Sequence, residues 1–113
     1  MRVTQHESLG KILGLVQTDD GVYSNLADSQ IVINDWQQIH LRAEINHATL
    51  QFSASPDGQS WQNIGAVLDA SKLSDNYGSV FHFTGTMVGL CCQDLKDNSL
   101  GADFDYFDYR PSV

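Results

Sequence analysis

Basic side chains are scarce in this sequence: six Lys and Arg stand against fourteen Asp and Glu, for a net charge of −8. The few cations are scattered, whereas gripping a phosphate backbone needs clustered Lys or Arg, so nucleic acid is not an expected partner. The same acidity disfavours anionic membrane surfaces, and no apolar run approaches the roughly 20 residues of a membrane-spanning helix. The first fifteen residues show no basic leader followed by an apolar block, which leads to the expectation of a cytoplasmic protein. Two prolines and nine glycines in 113 residues are too few for a linker-like or collagenous chain. The only cysteines, Cys91 and Cys92, are adjacent. Neighbours on a strand point to opposite faces, so a bond between them would strain the backbone. They read as small buried thiols, compatible with a reducing compartment. A Gly-x-Ser-x-Gly elbow, a Cys with a convincing His and a Gly-rich phosphate loop are all lacking. No cofactor is expected.

What is present is alternation. Hydrophobic residues make up 42% of the chain and charged residues 18%, ordinary for one globular domain of this length. Ile39, Leu41, Ala43 and Ile45 alternate with His40, Arg42 and Glu44, as a half-buried strand requires. After Asn46-His47, Ala48, Leu50, Phe52 and Ala54 alternate with Thr49, Gln51 and Ser53. The two runs read as a hairpin, with its apolar side turned to the core. Ser55-Pro56-Asp57-Gly58 is a turn, since Pro presets φ and Gly supplies φ > 0. A strand follows at Trp61–Ile64, with Trp61 expected in the core, then a loop with a short helical turn over Leu68–Asp75. Further strands are expected at Arg2–Thr4, Lys11–Gln17, Gln30–Ile33, Ser79–Thr84, Met87–Gln93 and Ala102–Tyr109. Many short strands without a long helix predict an all-β antiparallel sandwich, one domain over residues 1–113.

Chemistry has few footholds. His40, Glu44 and His47 include metal-ligating types, but Arg42 between them opposes a cation, and a cross-strand charge pair on a solvated face accounts for them. Asp103 and Asp105 would point the same way about 7 Å apart, inside the roughly 5–9 Å of glycosidase carboxyl pairs. Acids alternating with aromatics on one strand nevertheless read as a solvated face, since catalytic pairs come from different elements around a cleft. Calcium at Asp94 and Asp97 would lack the EF-hand ligand order. Aromatics are the better candidates, because flat rings desolvate the C–H faces of sugars. Trp36 and Tyr77 fall in turn-rich segments, where core and surface placements are equally compatible.

The motifs Ser55-Pro56-Asp57-Gly58, Trp61, Ile64-Gly65, Leu68-Asp69-Ala70-Ser71, Leu73-Ser74-Asp75, Phe83-Thr84-Gly85, Val88-Gly89-Leu90-Cys91-Cys92-Gln93-Asp94-Leu95 and Ala102-Asp103-Phe104-Asp105-Tyr106-Phe107 occur in that order. Together with Val3-Thr4, Leu9-Gly10-Lys11 and Leu41-Arg42 upstream, they resemble the C-terminal concanavalin A-like β-sandwich (jelly-roll) domain of family-43 glycoside hydrolases, the β-xylosidases and α-arabinofuranosidases. The resemblance implies a non-catalytic accessory domain, because the family's catalytic carboxylates lie in a separate N-terminal propeller that nothing here resembles. It also implies a sugar-facing aromatic, best matched by Phe83, with Phe81 second and core placement an equal alternative for Phe83. Tyr77 and Trp36 complete the candidate set for carbohydrate contact of a xylan type. The family domain is nearly twice as long, so the chain matches its C-terminal half to two-thirds. A partial sandwich leaves open edges and an uncovered apolar face, from which a homo-oligomer, most simply a dimer, is expected. A protein-interaction module without sugar binding, and the accessory chain of a split glycosidase, are the alternatives.

Overall fold

Two polar-apolar meanders build the observed architecture. The computed structural model describes residues 1–73, 88–92 and 101–110. The first sheet is antiparallel, in the order β1 (Arg2–His6), β2 (Gly10–Asp19), β3 (Val22–Val32). The second, also antiparallel, runs β4 (His40–Asn46), β5 (Thr49–Ser55), β6 (Gln62–Asp69) and ends in a 3₁₀ turn at Ala70–Leu73. Each strand pairs with its sequence neighbour, so the connections are short turns. Asp19 pairs with Val22, which leaves Asp20 and Gly21 as a two-residue loop with φ of 50° and 84°. Positive φ at both positions is what a type I′ hairpin turn demands, and its twist suits the flanking strands. At the other hairpin Asn46 pairs with Thr49, so the loop is His47-Ala48, one residue later than the alternation suggests.

The two sheets face each other through β2, β3 and β6. Leu13 and Leu15 of β2, Ile33 after β3, Ala54 of β5 and Ile64 of β6 form the buried cluster, with Leu26, Ile31, Trp36, Ile39, Phe52 and Leu68 packed against it. Asn34 seals the end of this layer. Its Oδ1 accepts from the Lys11 amide at 2.7 Å and its Nδ2 donates to the Leu9 carbonyl at 2.9 Å, continuing the β2–β3 ladder past the strand. The all-β sandwich expected from alternation is thus the fold, and the expected helical turn after β6 is present, with Asp69 accepting from the Ser71 amide at 2.9 Å.

Four expectations change. First, β3 begins at Val22, far ahead of Gln30. Its alternation is broken by a register shift opposite Leu13 and Leu15, where Ser29 is buried and its Oγ donates to the Leu26 carbonyl while accepting from the Leu15 amide at 2.8 Å. Second, Trp61 is only half-buried. Third, residues 88–92 and 101–110 form no strand and are exposed throughout. The sequence there has strand-like alternation, but a strand exists only where a neighbour completes its backbone ladder. Fourth, Cys91 and Cys92 are exposed rather than buried, because their segment lies outside the two sheets. Strand Ser79–Thr84 and the Asp94–Asp97 loop lie outside the described residues.

Candidate functional site

The loop between β5 and β6 is closed by a set of short hydrogen bonds. Ser55 is fully buried; its Oγ accepts from the Gly58 amide at 2.8 Å and the Asp57 amide at 3.2 Å, and donates to Asp57 Oδ1 at 2.9 Å. The same Oδ1 accepts from the amides of Gln59 at 2.8 Å and Ser60 at 2.9 Å. These amide donors, with the Ser55 hydroxyl, hold the Asp57 carboxyl well below the usual range, at about 2, because they stabilise the ionised form. The turn read from Ser55-Pro56-Asp57-Gly58 is therefore an Asx-type cage that fixes everything attached to it.

Two aromatic features flank this loop. On the polar side of the second sheet, Trp61 Nε1 donates to the Gly58 carbonyl at 3.1 Å. The Arg42 guanidinium lies 3.7 Å from the Trp61 ring centroid, a cation–π stack, and also meets Glu44 at 3.4 Å. His40 stands edge-on to Trp61 at 6.3 Å, and its Nδ1 is 2.9 Å from the Tyr106 hydroxyl. His40 Nε2 is buried without a partner. The tautomer with its proton on Nδ1, donating to Tyr106, leaves no buried donor unmatched. The charge pair expected on this face is the Arg42–Glu44 contact, within one strand instead of across two. His47 does not join His40, and among the described residues no three His, Cys, Asp or Glu gather in a metal-binding group.

Beyond Pro56 lies an open depression of about 530 Å³ lined by Asp35, Trp36, Gln37, Gln38 and Pro56. Trp36 is anchored by its amide, which donates to the Ile33 carbonyl at 3.0 Å. It is half-buried, packed in part against the core cluster. Its surroundings supply a carboxylate and two amides, groups that donate to and accept from hydroxyls. Of the four residues expected at a sugar-facing site, Trp36 is placed here; Tyr77, Phe81 and Phe83 lie outside the described residues. Asp103, Asp105 and Asp108 are exposed, and Asp108 meets Arg110 at 2.7 Å. The Arg42–Trp61–His40–Tyr106 cluster escaped the sequence, although counting alternation back from Ile64 puts Trp61 on the polar face.

Two facing antiparallel sheets, with an aromatic-and-amide depression beside a caged turn, define a β-sandwich module. A family model described as "Beta xylosidase C-terminal Concanavalin A-like domain" matches residues 1–110. The chain belongs to that family. It is 37% identical to a beta-xylosidase of Bacillus subtilis (strain 168), over 97% of this chain and 21% of that protein. A putative beta-xylosidase of Escherichia coli (strain K12) is 35% identical over 96% of this chain and 21% of that protein. A xylan 1,3-beta-xylosidase of a Vibrio species is 33% identical over 96% and 20%. The chain thus spans about a fifth of the length of these relatives.

Proposed function

We propose that this chain acts as a non-catalytic accessory module and contacts a neutral xylan-type sugar chain at the Trp36 depression. The observation that carries this is Trp36 itself, held by its backbone and the core while it lines an open depression beside Gln37, Gln38 and Pro56. A ring fixed in this way offers an apolar surface to a sugar at little entropic cost. Support comes also from the relatives, which are named as a beta-xylosidase and a xylan 1,3-beta-xylosidase. The match to a C-terminal domain family and the exposed setting of the 101–110 carboxylates support a role without turnover. Titration of ¹⁵N-labelled protein with xylo-oligosaccharides is expected to give saturable amide shifts at residues 36–38, abolished by Trp36→Ala. A dispersed spectrum whose 36–38 amides stay still at millimolar sugar would reject the contact.

A second reading, self-association, rests on β4. Its apolar side faces the direction the alternation foretells, yet Leu41 is 42% and Ile45 47% exposed, because β4 is an edge strand of the second sheet and the first sheet packs mainly over β6. An exposed apolar edge strand invites a second copy. Light scattering at micromolar concentration is expected to give twice the 12.5 kDa chain mass, with Leu41→Glu restoring the single-chain value. A strictly monomeric native protein removes this reading.

A further inference from the structure

The outer face of the first sheet carries a second polar concavity. Antiparallel partners share a face, and the register pairs Arg2 with Gly14, Thr4 with Ile12, Ile12 with Val32, Val16 with Asn25 and Thr18 with Tyr23. Arg2, Thr4, Ile12, Tyr23 and Asn25 therefore share one side of the sheet, opposite the face that buries Leu13 and Leu15. A cavity of about 370 Å³ opens there, lined by Arg2, Thr4, Ile12, Asn25 and Gln30 together with Gln5, His6 and Glu7. Ile12 lies beneath it, only 4% exposed. Gly14 has no side chain, so Gln30 lies across it, its Cγ 3.2 Å from where a Cβ would stand. At one end Arg2 donates from Nη1 to the Tyr23 hydroxyl at 3.3 Å and from Nη2 to Asn25 Oδ1 at 3.2 Å. The Tyr23 hydroxyl lies 3.5 Å from the same Asn25 oxygen. Tyr23 is 58% exposed, so its ring meets solvent beside the concavity while its hydroxyl is tied down.

We propose that this face is a separate binding site for a neutral sugar chain. The occupant follows from the chemistry. Planar guanidinium and amide groups pair with vicinal hydroxyls, donating and accepting in one plane. The exposed Tyr23 ring suits the C–H face of a pyranose. One arginine sharing the lining with Glu7, in a chain of net charge −8, does not attract a polyanion, and with Ile12 covered there is little apolar surface to seat a protein helix or strand. The cavity volume falls at the lower end of what small-ligand sites occupy, about 300–1,000 Å³. The site is independent of the Trp36 depression, which lies in the connection between the two sheets.

The test is a chemical-shift titration of the full chain with xylohexaose, cellohexaose and, as an anionic control, tetragalacturonate. Saturable shifts of the residue 2, 4, 23, 25 and 30 amides with a neutral probe are expected, unchanged in Trp36→Ala, which separates this site from the other. Asn25→Ala with Gln30→Ala, both on exposed side chains, should weaken that binding about tenfold while the spectrum stays dispersed. Still amides with both neutral probes at ~10 mM would overturn the proposal. So would equal affinity in the double variant, or galacturonate binding as tightly as the neutral chains.

Discussion

Leu13→Ala is expected to lower the unfolding free energy by about 3 kcal/mol or more, within the roughly 2.7–5 kcal/mol found for buried Leu→Ala changes. Leu13 is fully buried and, among the described residues, belongs to a buried cluster with Leu15, Ile33, Ala54 and Ile64. Two of these come from β2, one follows β3 and two come from the second sheet, so Leu13 is part of what joins the layers. Its neighbours Leu15, Ile33 and Ile64 are themselves held on strands or beside one, so the space left by the isobutyl group refills only in part and the cavity contribution remains. Natural domains hold only about 5–15 kcal/mol in total, so the melting point should fall on the order of 10 °C. The paired control is Leu41→Ala: at 42% exposure the same deletion removes contacts already half given to water, and about 1 kcal/mol or less is expected. Urea denaturation of both variants decides it. Near-equal losses would mean that the layer between the sheets is no drier than the outside of β4.

What alternation can and cannot reveal is visible in the same strands. It places Leu41, Ala43 and Ile45 together with Leu50, Phe52 and Ala54, and the observed register puts Leu41 opposite Ala54, Ala43 opposite Phe52 and Ile45 opposite Leu50. Facing is thus legible. Covering is not, because burial depends on a second layer that is distant in sequence, and on β4 that layer does not reach. Trp61 shows the reverse error: bulk and apolarity suggest the core, while parity from Ile64 points to the polar face, where Arg42 stacks on it. Parity prevails because a one-residue shift would send Ile64 outward instead. In β3 the alternation fails at a register shift, where a buried Ser29 closes its own hydrogen bonds, and no period-two pattern survives such an irregularity. Residues 101–110 have the pattern without the ladder. The family resemblance located the whole chain correctly, but of the four aromatics expected to meet sugar only Trp36 is among the described residues. The polar face around Arg2, Tyr23 and Asn25 carried no signal, since it is assembled by pairing across three strands.

Gly65→Ala is expected to cost about 2–5 kcal/mol, the sum of a backbone and a packing contribution. Gly65 has φ of 69° and lies where β6 bulges: Leu50 pairs with Leu68 and Phe52 with Ile64, so β6 spends three residues where β5 spends one. Its carbonyl accepts from Gln51 Nε2 at 3.3 Å. Left-handed backbone costs an L side chain about 1–2 kcal/mol. Packing adds to this, because the new Cβ would stand 3.0 Å from Leu15 Cδ1 and 3.1 Å from Ser29 Cβ. Neither neighbour yields easily: Leu15 is in the core cluster, and Ser29 is held by hydrogen bonds to the Leu15 amide and the Leu26 carbonyl. Overpacking a filled site costs about 1–3 kcal/mol. Gly21→Ala separates the two contributions, since φ there is 84° and nothing lies within 4 Å of the added methyl, leaving only the backbone part. Gly65→Ala should therefore lose clearly more stability than Gly21→Ala in urea denaturation. Equal losses would show that Leu15 and Ser29 retreat freely, and that the bulge, instead of close packing between β6 and the first sheet, is the sole reason for glycine at this position.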